Sequence, residues 1–156
     1  MTTKVIGLGN SLFGDDSFGL HVIEEIKSRN LKFNDIELIS LPTPSPWDIY
    51  EVLREGEFFV IVDVLEDGEA GKIEQFSLDE VCSVKNSFKT VHDLNINQVL
   101  DLLRVNGKKI QGVVVAIRGY NFNLSLNLSK EMKPFVTKTA DKVIEIMKKI
   151  SIQQLS

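Results

Sequence analysis

The sequence predicts an α/β protein of three layers, αβα, in which a mostly parallel, twisted sheet carries helices on both faces. Two observations point there. Short apolar runs alternate with helix-periodic stretches along the chain, and the run Phe58 to Val62 is apolar throughout, as a strand buried on both faces must be. The length of 156 residues, with 43% hydrophobic and 26% charged residues, suits a single domain over residues 1–156 with a substantial core.

Taken in order, Val5 to Leu8 is an apolar run closed by Gly9 and Asn10, a strand entering a tight turn. From Ser17 to Lys27, Phe18, Leu20, Val22, Ile23 and Ile26 fall mainly at helical spacing, and Asp15 and Asp16 sit where a helix start favours negative charge. Ile36 to Leu41 is a second strand. Pro42 and Pro44 break the chain, and Pro46 suits the first turn of a helix holding Trp47, Ile49, Tyr50, Val52 and Leu53. The third strand, Phe58 to Val62, stops at Asp63. A turn at Asp67-Gly68 and Gly71 leads to Lys72 to Phe76, which alternates as an edge hairpin strand does. Ser77 to Val91 has no readable period. Leu94 to Leu103 is helical, with Asp93 or Asn95 as cap and Asn106-Gly107 as its end. Gln111 to Ile117 is a further buried strand. Leu128-Ser129 opens the last helix, whose apolar face carries Phe135, Val136, Ala140, Val143, Ile144 and Met147.

Composition excludes several functions. The net charge is −4, with no basic stripe, which disfavours a nucleic-acid partner. Cys82 is alone, so no disulfide framework or cysteine-rich zinc site is available. No signal-peptide pattern opens the chain, and no apolar run nears the roughly 20 residues of a membrane span. A soluble, cytoplasmic setting is expected.

In a sheet of this kind, the loops at the carboxyl ends of the strands build the functional cleft. The segment from Gly7-Leu8-Gly9-Asn10 to Asp15-Asp16 and Gly19 lies at such an end. It is not a dinucleotide fingerprint: Leu12 stands where the third glycine belongs, and two aspartates would repel a pyrophosphate. It offers instead a carboxylate pair on a sharply turning loop. Both could serve only the helix start, a role better suited to Asp15; Asp16, one residue deeper, is freer to face the cleft. Asp63 follows a fully apolar strand and either solvates a strand end or serves the same cleft. His92 precedes a helix and can offer a ring nitrogen, whereas His21 lies within the first helix. Two carboxylates and an imidazole make a thiolate-free oxygen and nitrogen set suited to a borderline divalent ion such as nickel, zinc or cobalt. Nucleophilic catalysis is the weakest option, since neither Cys82 nor Ser11 has an activating context.

These residues resemble those of the hydrogenase maturation proteases. The family's opening motif, Gly-x-Gly-Asn followed by an acidic pair and a glycine, is similar to Gly7 through Gly19. An apolar strand ending at Asp63, a histidine before an amphipathic helix at His92, and a late strand leading to Leu128-Ser129 follow in the family's order. The resemblance implies that Asp16, Asp63 and His92 bind nickel carried by a hydrogenase large-subunit precursor, and that the enzyme then cuts one peptide bond to release a C-terminal extension. It implies no permanent cofactor. Nickel could act on the scissile carbonyl or on a water, or Asp16 or Asp63 could be the general base with nickel serving only for positioning. A non-catalytic nickel-binding assembly factor and another hydrolase on the same fold are the alternatives. Ser17 stands where the family commonly has glycine, the stretch from Arg118 to Asn123 lacks an expected proline, and the Leu41 to Trp47 loop is rich in proline.

Overall fold

The computed structural model describes residues 2–55, 58–65, 69–78 and 96–155. Its centre is a five-stranded sheet in the order β2-β1-β3-β5-β4. The strands are β1 (Thr3–Gly9), β2 (Ile36–Pro42), β3 (Phe58–Leu65), β4 (Ile73–Ser77) and β5 (Gln111–Arg118). Strands β2, β1, β3 and β5 pair in parallel, and β4 runs antiparallel to β5. The helices among the described residues are α1 (Phe18–Ser28), α2 (Pro46–Glu55), α3 (Ile96–Val105) and α4 (Lys133–Leu155), and a short 3-10 turn, Gly14–Ser17, precedes α1.

Period-two alternation divides the core between the two faces. Val5, Val60, Val62, Val64, Val115 and Ile117 pack with Phe18, Val22, Ile23 and Ile26 of α1 and with Ala140, Val143, Ile144 and Met147 of α4. Their neighbours along the strands, Ile6, Leu8, Phe59, Ile61, Leu65, Val114 and Ala116, pack with Ile49 and Leu53 of α2 and Val99, Leu100 and Leu103 of α3. The three-layer expectation therefore holds, with α1 and α4 on one face and α2 and α3 on the other.

Local chemistry accounts for the helix ends. At α2, the Asp48 amide donates to Ser45 Oγ at 3.2 Å while the Ser45 amide donates to Asp48 Oδ2 at 2.8 Å. That is a reciprocal capping box, with Pro46 as the first helical residue. Helix α3 ends at Asn106-Gly107, where Gly107 takes φ +75° and the Lys108 amide donates to the Leu103 carbonyl at 2.9 Å.

Four sequence expectations change in detail. Strand β3 does not stop at Asp63. It continues to Leu65, because Val64 and Leu65 are buried and pair with Ile117 and Arg118. The edge strand forms no hairpin with β3, whose two edges are already taken by β1 and β5; β4 pairs with β5 instead. The last helix starts at Lys133 rather than Leu128, since the Ser129 amide and hydroxyl are engaged elsewhere. Asp15 and Asp16 provide no side-chain cap to the 3-10 turn or to α1, whose N-cap residues are Phe13 and Ser17. The Asp67-Gly68 turn, the segment 79–91 with Cys82, and the caps Asp93 and Asn95 lie outside the described residues.

Candidate active site

The pairing register locates a cleft. Strand β1 pairs with β3 from Thr3–Phe58 to Gly7–Val62 and no further. Beyond that level β1 stays with β2 as far as Gly9–Pro42, while β3 stays with β5 as far as Leu65–Arg118. The chain leaves β1 toward β2 on one side and β3 lies on the other, so this is the topological switch point of the sheet, where α/β proteins bind ligands beyond the carboxyl ends of the strands. Asp63 is the first residue of β3 past the split, and its backbone pairs with Ala116.

The glycines of the opening motif serve close packing. A Cβ on Gly19 would lie 2.4 Å from the Leu8 carbonyl oxygen and 2.6 Å from that of Val62. Helix α1 therefore starts directly on the last β1–β3 pair, and the 3-10 turn with Asp16 is set against β1 and β3. Gly14 takes φ +55°, and a Cβ there would meet the Asn121 carbonyl oxygen at 2.7 Å. Asn10 Oδ1 accepts from the Leu12 amide at 2.9 Å and closes the turn after β1. Ser17 has φ −80° and donates its hydroxyl to the Gly14 carbonyl at 2.8 Å. Serine is accommodated there because the backbone is right-handed, so this departure from the motif costs nothing sterically.

Asp15, Asp16 and Asp63 are all buried, at 0%, 0% and 3% exposure, yet their environments differ. The Asp15 carboxylate accepts from the amides of Tyr120, Asn121 and Ser129 and from the Ser129 hydroxyl, each at 2.8 Å. Three of these donors meet Oδ2 and one meets Oδ1, and together they bind the loop between β5 and α4 to the turn after β1. Asp63 Oδ1 accepts from the Val64 amide at 2.8 Å. The strand alternation points Asp63 to the same face as Ile61 and Leu65, that of α2 and α3. Asp16 and Asp63 thus reach one end of the sheet, on the turn and the strand that border the split. His92 lies outside the described residues, and among the described residues no group of three or more His, Cys, Asp or Glu is placed to hold a metal ion.

His21 is exposed on α1 and lines a cavity of about 400 Å³ with Glu24, Glu25, Asn127 and Lys133. Partial burial holds its pKa below the usual histidine value, and Glu24 opposes that shift. Sequence reasoning missed an apolar cluster at the same end of the sheet as the aspartates: Leu12, Phe13, Leu124 and Leu126 are 49%, 39%, 77% and 73% exposed. Its signal was available in the alternation of Leu124 and Leu126 with Asn123, Ser125 and Asn127, which puts both leucines on one side of an extended segment.

Comparison with known proteins converges on one family. The family model described as hydrogenase maturation protease matches residues 20–149, a span that includes Asp63 and begins after Asp16. The chain is 29% identical over 145 residues to a Methanocaldococcus jannaschii protein provisionally named a hydrogenase maturation protease, covering 92% of each. It is 28% identical over 148 residues to the coenzyme F420 hydrogenase subunit delta of Methanothermobacter thermautotrophicus, covering 92% of this chain and 90% of that one. Its fold is similar to that of the hydrogenase maturating endopeptidase HybD from Escherichia coli, with TM-score 0.85, 18% identity, and coverage of 96% and 93% of the two chains. With a cleft at the switch point, buried carboxylates beside it and a matched span of this extent, the chain belongs to the hydrogenase maturation protease family and is a peptidase.

Proposed function

We propose that this protein removes a C-terminal extension from the nickel-loaded large-subunit precursor of a [NiFe] hydrogenase. The observation that carries the reading is the placement of two buried carboxylates, Asp16 and Asp63, at the point where β1 and β3 part. Carboxylates held in a buried site are suited to bind a divalent cation or to hold a water by hydrogen bonds. In this reading Asp16, Asp63 and His92 contact the nickel that the precursor brings, and the enzyme keeps no metal of its own. The oxygen and nitrogen donors fit such an ion, and a borderline divalent ion carried by the substrate makes cleavage depend on prior loading. The two aspartates orient the scissile segment, and one of them takes the proton of the attacking water and returns it to the leaving amine as the peptide C–N bond breaks.

The test is incubation of the protein with nickel-loaded and nickel-free precursor, followed by mass measurement of the large subunit. Wild type should shorten only the loaded form, and Asp16→Ala should shorten neither. Normal cleavage of the loaded form by Asp16→Ala would overturn the site, and equal cleavage of both forms by wild type would overturn the role of nickel. A second reading follows from the relative named as a hydrogenase subunit: the chain stays bound to a mature hydrogenase. Recovery of a stable complex with an already shortened large subunit would favour it.

A further inference from the structure

The turn after β1 and the loop between β5 and α4 are joined far more tightly than their exposure requires. Besides the four bonds to the Asp15 carboxylate, the Ser125 amide donates to the Leu12 carbonyl at 2.8 Å, the Gly14 amide to the Ser125 carbonyl at 2.9 Å, and the Asp15 amide to the Asn121 carbonyl at 2.9 Å. An isolated parallel bridge pairs Phe13 with Ser125. The product is a small two-stranded unit in which Phe13 and Ser125 face one side of the bridge, while Leu12, Leu124 and Leu126 face the other and are solvent-exposed. It is also continuous with the active site, because the Asp16 amide donates to the Phe13 carbonyl at 3.1 Å.

We propose that Asp15 is a positioning residue for peptide cleavage: it locks these two loops together so that Leu12, Leu124 and Leu126 form one fixed apolar wall beside the turn that bears Asp16, along which the stretch of the precursor adjoining the scissile bond lies. The inference rests on Asp16 being next to that bond. An extended peptide advances about 3.3–3.6 Å per residue, so a chain cut beside Asp16 passes Leu12 within a few residues of the cut. Exposed leucines concentrated at a catalytic edge, on loops held rigid by a buried carboxylate, have the features of a substrate-contacting surface. The occupant is the precursor's own extended segment with apolar side chains. The adjacent aspartates then divide the work, Asp16 facing the reaction and Asp15 holding the wall.

The experiment is steady-state cleavage of the nickel-loaded precursor by four variants, with thermal melts alongside. Leu124→Ser combined with Leu126→Ser should raise KM about tenfold or more with kcat within about threefold of wild type, and Tm should not move. Asp15→Asn should shift KM in the same direction, and Ser129→Ala, which deletes one of the four donors, should shift it less. Val105→Ser is the exposed control at the opposite end of the sheet and should leave both constants unchanged. Wild-type KM in the double leucine variant overturns the wall. A fall of kcat and Tm in Asp15→Asn with unchanged KM makes Asp15 purely structural and overturns its positioning role; if Asp15→Asn does not fold, Ser129→Ala decides by the same split. Normal cleavage by Asp16→Ala is a separate failure, of the site assignment itself.

Discussion

Gly19→Ala is the most demanding test of how the site is built. The added methyl would face two main-chain oxygens, Leu8 at 2.4 Å and Val62 at 2.6 Å. Ordinary carbon contacts lie near 3.5 Å, so α1 must retreat from the strand ends by about 1 Å. Neither oxygen can rotate away, because both belong to central strands of the sheet. Overpacking of this kind costs about 1–3 kcal/mol, offset in small part by the better helix propensity of alanine. A net loss of about 2 kcal/mol lowers Tm by about 4–8 °C in a domain of this size.

The same retreat carries the 3-10 turn and Asp16 away from β3. A displacement of about 1 Å in a reacting group can cost about a hundredfold in rate. Cleavage of the loaded precursor should therefore fall by that order even well below the melting transition. The assay is the precursor mass shift at a temperature where circular dichroism shows the variant fully folded. A variant that melts within about 1 °C of wild type and cleaves normally would refute the seating of α1 on the last β1–β3 pair.

Other outcomes follow from the same geometry. Asp63→Asn keeps the oxygen that accepts from the Val64 amide, so it should melt near wild type while losing about a hundredfold or more in cleavage; a lower Tm with intact cleavage would make Asp63 structural. Ser45→Ala removes the capping box of α2 and should cost about 1 kcal/mol, read by denaturant titration, with cleavage unaffected. His21 binds protons less readily folded than unfolded, since burial lowers its pKa. Stability should therefore fall as pH drops through its unfolded value, about 6.5, and level off below the folded one, a dependence that His21→Ala should flatten. Chelator-treated protein should hold no stoichiometric nickel when analysed for metals if, as proposed, the ion arrives with the precursor; about one tightly held ion per chain would count against that proposal.

Much of the architecture could be read from periodicity. Continuous apolar runs identified the central strands, and the apolar stripes of α1, α2 and α4 fall on buried or partly buried residues, except for Trp47 of α2, which is 69% exposed. What failed were local boundaries decided by distant partners. The end of β3 depends on β5 pairing with Val64 and Leu65 some fifty residues later. The start of α4 depends on Asp15, which takes the hydrogen-bonding groups of Ser129. Neither dependence has a local signature. Asp63 was recognisable because a carboxylate after four buried apolar residues is conspicuous, although its burial within the strand was not.

The paired aspartates show why residue type and spacing stop short of assigning roles. Asp15 and Asp16 are adjacent, identical and equally buried, so nothing within the turn distinguishes them. They differ through the backbone amides of Tyr120, Asn121 and Ser129, which converge on Asp15 alone. A buried carboxylate that accepts from four donors of one loop is committed to holding that loop, and that geometry favours a positioning role for Asp15 over a reacting one. It also explains how the 118–123 stretch dispenses with a proline. Proline stiffens a loop by fixing φ, whereas here the loop is held by hydrogen bonds to a buried anion. Replacing a local restraint with a long-range one couples the loop's position to the turn that bears Asp16. Inserting proline at Asn123 would break that economy, because its amide donates to Asn121 Oδ1 at 2.9 Å. Asn123→Pro should therefore loosen the wall and raise KM rather than stiffen the loop. If hydrogen exchange at Leu124 to Leu126 slows in that variant while KM holds, the restraint is local after all.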